Sequence, residues 1–311
     1  MIKYFKTEKS RLQEIERIEK DCWINMVEPS SAEIEFISQK LLINSDLIID
    51  PLDADESPRV EQQKNCLLII CRIPLELSED DALPYKTLPL GIIIKRDLIL
   101  TVCSKQTEVI QAFVEERVRN LNTALREKML LQIFLRSSIL YLRYLKTINN
   151  KADEIQEILH KATRNSELLQ LLNLEKSLVY FNTSLKSNEL MMMRLQQHTV
   201  MKELKESEQE LINDVIIETK QAIEMAKIYS NILGNMMGAH SSIISNNLNI
   251  TIRFLTSITI ILSLPILIAS LYGMNVELPF ADYEHAFWIV MSLALGLSAI
   301  GVLFFHKKNL F

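Results

Sequence analysis

The chain has 311 residues, of which 23% are charged and 48% hydrophobic, and its formal net charge is −5 at pH 7. That balance excludes a broadly basic surface for nucleic acid, and the length admits two domains of ordinary size. The averages hide a split, because most charge lies before Arg253 and most of the long apolar sequence lies after it.

The first stretch, MIKYFKTEKSRLQEIERIEKD, is charged and has no apolar core region, so it does not read as a signal peptide. The bulk of the chain is therefore expected in the cytoplasm. Cys22, Cys66, Cys71 and Cys103 all fall in the first third, at spacings unlike a zinc site. A cytosolic setting disfavours disulfides, and plain buried thiols are expected. Pro29 precedes SSAEIEFISQKL (residues 30–41), whose Ser-x-x-Glu start and helical apolar spacing predict a capping-box helix. CLLIICRIPLEL, LPLGIIIKRD and LILTVCSK are short β-rich runs bounded by Pro, Gly and charge, and KRD (residues 95–97) reads as a hairpin turn. Residues 1–110 thus read as a sheet with helices on it, an α/β domain.

From about Thr107 the chain changes character. No proline occurs between Pro89 and Pro265, and no glycine between Gly91 and Gly234. This is long-helix sequence. INNKAD (148–153) and NTSLKSNE (182–189) are the best candidate turns, which predicts helices over 107–148 and 151–184 and a third from about residue 188. The helical part of the domain would cover 111–187 and a stalk helix 188–249, running unbroken into the membrane, with GNMMG (234–238) its weakest point. Some 80 residues of helix make a rod of roughly 120 Å. MMMRLQQH (191–198) is methionine-rich, but Met is a soft ligand, and packing against a core or interface is the expected role.

Residues 254–271, FLTSITIILSLPILIASL, carry no charge. With their flanks they form a first span over 250–272, close to the roughly 20 residues that cross a hydrocarbon core. Pro265 inside it is tolerable where neighbours re-satisfy the backbone. The second span, 286–305, is also uncharged and carries Gly296 and Gly301, small residues that let helices approach. Arg253 precedes the uncharged run of the first span, while His306, Lys307 and Lys308 open the basic tail 306–311. The loop 273–285 holds Glu277, Asp282 and Glu284 and no Lys or Arg. The positive-inside rule then puts both termini in the cytoplasm and the loop outside. Phe287 and Trp288 sit where interfacial anchors belong. A buried hairpin of a soluble protein is the alternative, and two uncharged runs of this length argue against it. Two spans cannot enclose an aqueous path, so ion passage requires several chains around an axis; otherwise the hairpin is an anchor.

Tyr272-Gly273-Met274-Asn275, after one span and shortly before another, resembles the signature of the CorA family of divalent-cation transporters. CWINMVEPSSAEIEFI, LDADESPRVEQQKNCLLIICRIP and YKTLPLGIIIKRDLILTVC resemble further segments of that family, so the likeness covers nearly the whole chain. It implies an α+β cytoplasmic domain, a long stalk helix continuous with the pore helix, an outer second helix and a homopentameric funnel. The implied function is membrane-potential-driven influx of Mg²⁺, with Co²⁺ and Ni²⁺ as further cargo. Mg²⁺ gives up water reluctantly, so a conducting site should touch the hydrated ion through oxygen acceptors. Asn275 offers an amide oxygen, and Gly273 leaves its carbonyl accessible and permits unusual dihedrals at the helix end. Several copies would form a weakly binding neutral ring, as conduction needs. An Asn-capped helix end after a glycine kink is the plain structural reading of the same residues.

Glu277, Asp282 and Glu284 read either as an outer acidic rim that concentrates cations or as solubility features. Counting back by helical turns from Asn275 gives a pore lining of Leu271, Ile268, Leu264, Ile261 and Ser257, then Ile250. Asn246, Asn247 and Asn249 lie at its inner end, with Asn246 and Asn249 as the pore entrance and Asn249 the best match to a family position. The resemblance also implies closure by intracellular Mg²⁺ bound at acidic residues between subunits, and Asp214 is the matching stalk residue, with Asp80 or Asp81 opposite. A solvated helix charge is the plain reading of Asp214. No organic cofactor is expected, and no nucleophile–base set, phosphate loop or H-E-x-x-H helix suggests an enzyme. Partners are other copies of the chain and membrane lipid. Within the fold, a ZntB-type zinc transporter is the alternative, though that branch usually has Ile where this chain has Met274. In a different class stands a membrane-anchored sensor or structural protein without a pore.

Overall fold

A computed structural model of the chain describes residues 1–63, 65–78, 81–161, 165–198, 206–275, 279 and 284–308. The chain divides into two compact units, residues 1–235 and 236–311.

In the first unit seven strands form one sheet. In chain order they are β1 (Ile2–Glu8), β2 (Arg11–Ile15), β3 (Cys22–Val27), β4 (Arg59–Gln63), β5 (Cys66–Glu76), β6 (Tyr85–Lys95) and β7 (Leu98–Cys103). Across the sheet they run β2-β1-β3-β7-β6-β5-β4. Only β3 and β7 pair in parallel. All six residues of β7 are buried, which is why it reads as a continuous apolar run: both faces of the sheet are covered. The KRD turn forms as expected, with Lys95 opposite Leu98. One face packs on α1 (Ser31–Leu41) and α2 (Asp46–Ile49), with Ile24, Met26, Ile37, Leu41, Ile48 and Leu100 in the core. Ser30 caps α1 in a capping box with Glu33, as the sequence predicts. Gly91 in β6 is required here, because a Cβ at this position would run into the ring of Pro51.

The other face carries Trp23, whose ring packs 6.1 Å from Phe113 of α3 (Glu108–Val114). The Trp23 indole donates to Thr101 Oγ1 at 2.9 Å, and Thr101 in turn donates to Asn25 Oδ1 at 2.9 Å. The predicted helix over 107–148 is broken: α3 ends at Val114, and Glu116 and Asn120 adopt left-handed φ of 53° and 54°. Three long helices follow in the chain: α4 (Arg126–Lys161), α5 (Asn165–Gln196) and α6 (Glu206–Tyr272). Both predicted turns are helical, and the stalk helix starts at Glu206 rather than near 188. The polar clusters held no Pro or Gly to break a helix, and the tertiary structure uses their side chains. In α4, Asn149 Nδ2 donates to Asp153 Oδ2 at 3.1 Å on the outside while Ile148 and Ala152 stay buried. In α5, Ser184 and Asn188 face the sheet.

Asn188 does the work of a missing strand. β4 ends its pairing with Arg59 opposite Ile70, so Arg72 of β5 lies beyond it. The Asn188 amide closes both open backbone groups, accepting from Arg72 N at 2.8 Å and donating to Arg72 O at 2.7 Å. Tyr141 Oη adds a second donor to that carbonyl at 3.0 Å. In the first unit α6 buries a stripe of Val215, Thr219, Ala222, Ala226 and Leu233, and Thr219 Oγ1 lies 2.8 Å from Ser138 Oγ of α4. Met191 and Met192 are buried, the packing role expected of that run. All four cysteines are free and buried. Burial pushes the Cys71 thiol up, and the Cys103 thiol up to about 11.

The second unit holds the end of α6 and α7 (Ala286–Lys307). A Cβ at Gly301 would sit 3.5 Å from Ile261 Cγ1 and 3.5 Å from Leu264 Cδ1, so Gly301 is where the two helices meet closely. Ala294, on the same face of α7, is also buried. Nothing lies within 4 Å of the Cβ position at Gly296. α6 continues helical through Gly234, Gly238 and Pro265.

Two outcomes follow for the purified full chain in detergent. Asn188→Ala leaves the Arg72 N–H unpaired and should destabilise the fold by about 1–3 kcal/mol, read as a lowered thermal midpoint. Tyr141→Phe should cost less, because Asn188 still holds the Arg72 carbonyl. Gly301→Ala should be tolerated, since the added methyl meets only ordinary contacts. Gly301→Leu should force the helices apart and reduce the yield of monodisperse protein.

Candidate functional site

The apolar windows of α6 and α7 are only 11% and 6% buried within the chain. Apolar faces of that length need lipid or other copies around them, and the chain is a membrane protein. Three of the hydroxyls in the α6 window are satisfied inside their own helix. Thr259 Oγ1 donates to Leu255 O at 2.8 Å, Ser263 Oγ to Thr259 O at 2.7 Å and Ser257 Oγ to Arg253 O at 2.8 Å.

α6 has two faces here. Ser257 and Ile268 are buried, Ile261 and Leu264 are partly covered, and these four lie on one stripe, the one that meets Gly301 of α7. They are four of the five residues expected to line a pore, and within the chain Ile261 and Leu264 meet its own second helix. The fifth, Leu271, is exposed. The other face presents Asn249, Ile252, Thr256, Thr259, Ser263, Ile266 and Ser270, every one exposed. Their spacing alternates three and four, which sets them in one seam along the helix. The sequence did hold this signal, in small hydroxyl residues recurring at helical spacing through an apolar run. Asn246 and Asn247 are exposed as well, and Asn246 lies off the seam.

At its outer end α6 finishes at Tyr272. Gly273 N donates to Ala269 O at 3.0 Å, and Met274 N to Leu271 O at 3.3 Å, a tightening last turn. No described glycine has positive φ, so the expected unusual dihedral at Gly273 is absent. What a side chain there would meet is the Ala269 carbonyl oxygen, 3.4 Å from the Cβ position. Gly273, Met274 and Asn275 are all exposed. Tyr272 Oη donates to Pro279 O at 3.1 Å, tying the helix end to the loop after the motif. Glu284 is exposed, while Glu277 and Asp282 lie outside the described residues. Phe287 and Trp288 are exposed at the start of α7.

In the first unit Asp214 is exposed on α6. Asp81 accepts from Ser78 N at 3.1 Å and from Ser78 Oγ at 2.8 Å, and Asp80 lies outside the described residues. Among the described residues no group of three or more His, Cys, Asp or Glu stands ready to hold a metal.

The family model of the CorA-like Mg²⁺ transporter protein matches residues 19–308. The cobalt/magnesium transport protein CorA of Methanocaldococcus jannaschii is 31% identical over 298 residues, covering 92% of this chain and 90% of that protein. The complete structure of the CorA magnesium transporter from the same organism superposes with a TM-score of 0.86 at 26% identity, covering 100% of this chain and 99% of that one. The ZntB cytoplasmic domain from Vibrio parahaemolyticus shares the fold at 14% identity, with a TM-score of 0.60 over 79% of this chain and 96% of that one. A match of this extent, in sequence and in fold, decides the family: the chain belongs to the CorA-like Mg²⁺ transporters.

Proposed function

We propose that the chain is one subunit of a homopentameric channel that admits Mg²⁺, and with it Co²⁺ and Ni²⁺, down the membrane potential. Such a potential supplies roughly 4.6 kcal/mol per 100 mV for a divalent ion. The observation that carries the reading is the exposed seam of α6 and the motif beyond its end. Thr259 and Ser263 donate their hydroxyl protons to the backbone. Each therefore turns only oxygen lone pairs outward, the chemistry that receives the O–H groups of a hydrated cation. Mg²⁺ sheds its waters reluctantly, so a lining of acceptors that leaves the inner shell intact suits it better than a cage of carboxylates.

In this reading α6 faces the axis with the seam from Asn249 to Ser270, and residues 250–272 and 286–305 cross the membrane with both termini in the cytoplasm. Asn249, with Asn246 beside it, forms the inner mouth. Ile252 and Ile266 are apolar rings able to gate by dewetting. Five copies of Gly273, Met274 and Asn275 form the outer filter, positioned by Tyr272, below an acidic rim of Glu277, Asp282 and Glu284. Asp214 binds intracellular Mg²⁺ at a subunit boundary and favours the closed state, which requires tighter binding to that state.

The test is Mg²⁺ entry into proteoliposomes at a set inside-negative potential, with Zn²⁺ as competitor. Asn275→Ala should reduce entry by about tenfold or more, equivalent to 1.4 kcal/mol or more. Equal entry in both proteins would sink the filter, and entry of Zn²⁺ alone would make this a zinc transporter.

A further inference from the structure

The inner end of the α6–α7 hairpin carries basic residues and, along the sequence beside them, no carboxylate side chain. No Asp or Glu occurs between Glu224 and Glu277. Within residues 236–311 the carboxylate side chains are Glu277, Asp282 and Glu284, all in the connecting loop at the other end of both helices. Arg253, Lys307 and Lys308 are the basic residues of this unit, all exposed, and His306 beside them is exposed too.

Helical spacing draws these groups together. Lys308 lies two turns beyond Gly301, close to the same face of α7. Arg253 lies two to three turns before Ile261 and Leu264, the residues that meet Gly301. Because α7 returns alongside α6, Arg253 and Lys308 arrive at one level with Lys307 beside them. Beyond this level toward the loop, both helices carry uncharged residues as far as Tyr272 and back from Phe305 to Ala286. The three cations thus border hydrocarbon on one side and water on the other.

We propose that Arg253, Lys307 and Lys308 form a binding site for the headgroup phosphate of an anionic phospholipid in the cytoplasmic leaflet. The inference rests on the membrane-spanning reading above and adds a specific partner to it. A planar guanidinium pairs with phosphate oxygens bidentately, and the two ammonium groups supply further donors. A lipid fits better than a soluble anion because the adjoining surface is apolar: Phe254 and Phe304 are exposed next to the basic residues and accept the acyl chains. Each basic residue near an anionic membrane surface strengthens attraction about fivefold, so three together give about a hundredfold.

The full-length protein in neutral detergent is titrated with phosphatidylglycerol and with phosphatidylcholine, and bound lipid is counted by native mass spectrometry. Wild type should prefer phosphatidylglycerol by about a hundredfold, and the triple change Arg253→Gln, Lys307→Gln, Lys308→Gln should abolish the preference. Lys308→Gln alone should lower it about fivefold, which keeps the test decisive should the triple variant fold poorly. Asn275→Ala should keep the full preference. Equal binding of the two lipids by wild type overturns the proposal, as does an unchanged preference in Lys308→Gln. Displacement of the lipid by millimolar inorganic phosphate also overturns it, since the site would then serve a soluble anion. Flotation with vesicles separates this failure from that of the membrane reading. Protein that floats but shows no lipid preference contradicts the site alone, whereas protein that does not float contradicts both.

Discussion

Between Arg253 and Tyr272 the backbone groups of α6, Pro265 and the carbonyl it leaves open apart, must find their partners inside the helix, because hydrocarbon offers none. That constraint explains what the sequence withholds and what it permits. Glycine and proline are missing from most of the helix, and Pro265 is the one proline within it. Thr259, Ser263 and Ser257 bring hydroxyls into the span without stranding them, because each donates back to the turn before. The helix is released only at Gly273, where the last carbonyls are reached in a tightened turn and the motif stands exposed.

An unbroken helix has faces, and the faces divide the labour. Ile261 and Leu264 take Gly301 of α7 at close range, a contact that small residues make possible without any hydrophobic drive between the helices. The seam from Asn249 to Ser270 is left to face other copies or water. In the first unit the same helix buries an apolar stripe and is joined to α4 by the Ser138–Thr219 pair. Asn188 finishes the β5 edge there, so the sheet and the helices above it are fastened through backbone groups as well as through the core.

Much of this was legible beforehand. The uncharged runs, the capping box at Ser30 and the two-residue turn at Arg96 and Asp97 each state a local physical requirement, and the structure meets them with two long apolar helices, a capped α1 and a β6–β7 hairpin. The predicted turns failed because polar residues alone do not end a helix. Asn149 pairs along its own helix, and Asn188 serves a strand 116 residues away, a use invisible to local pattern. The seam proposed for the ion path differs from the face expected from sequence for a simpler reason. Asn275 lies beyond the end of α6, so counting turns back from it starts out of phase with the helix. Counting back from Ser270, inside the helix, gives the exposed seam. The acidic rim and the partner of Asp214 had no comparable periodicity to betray them, and they rest on chemistry and resemblance.

The central claim is that the seam of α6, and not the face toward α7, lines the ion path. Single cysteines at Ser263 and Ile266, and separately at Ile261 and Leu264, can be probed with a small water-soluble thiol reagent during Mg²⁺ flux. The four native cysteines are buried and contribute little background. The account predicts that reagent blocks flux through the first pair and leaves the second pair unmodified. Block at Ile261 and Leu264, with Ser263 and Ile266 unreactive, would contradict it.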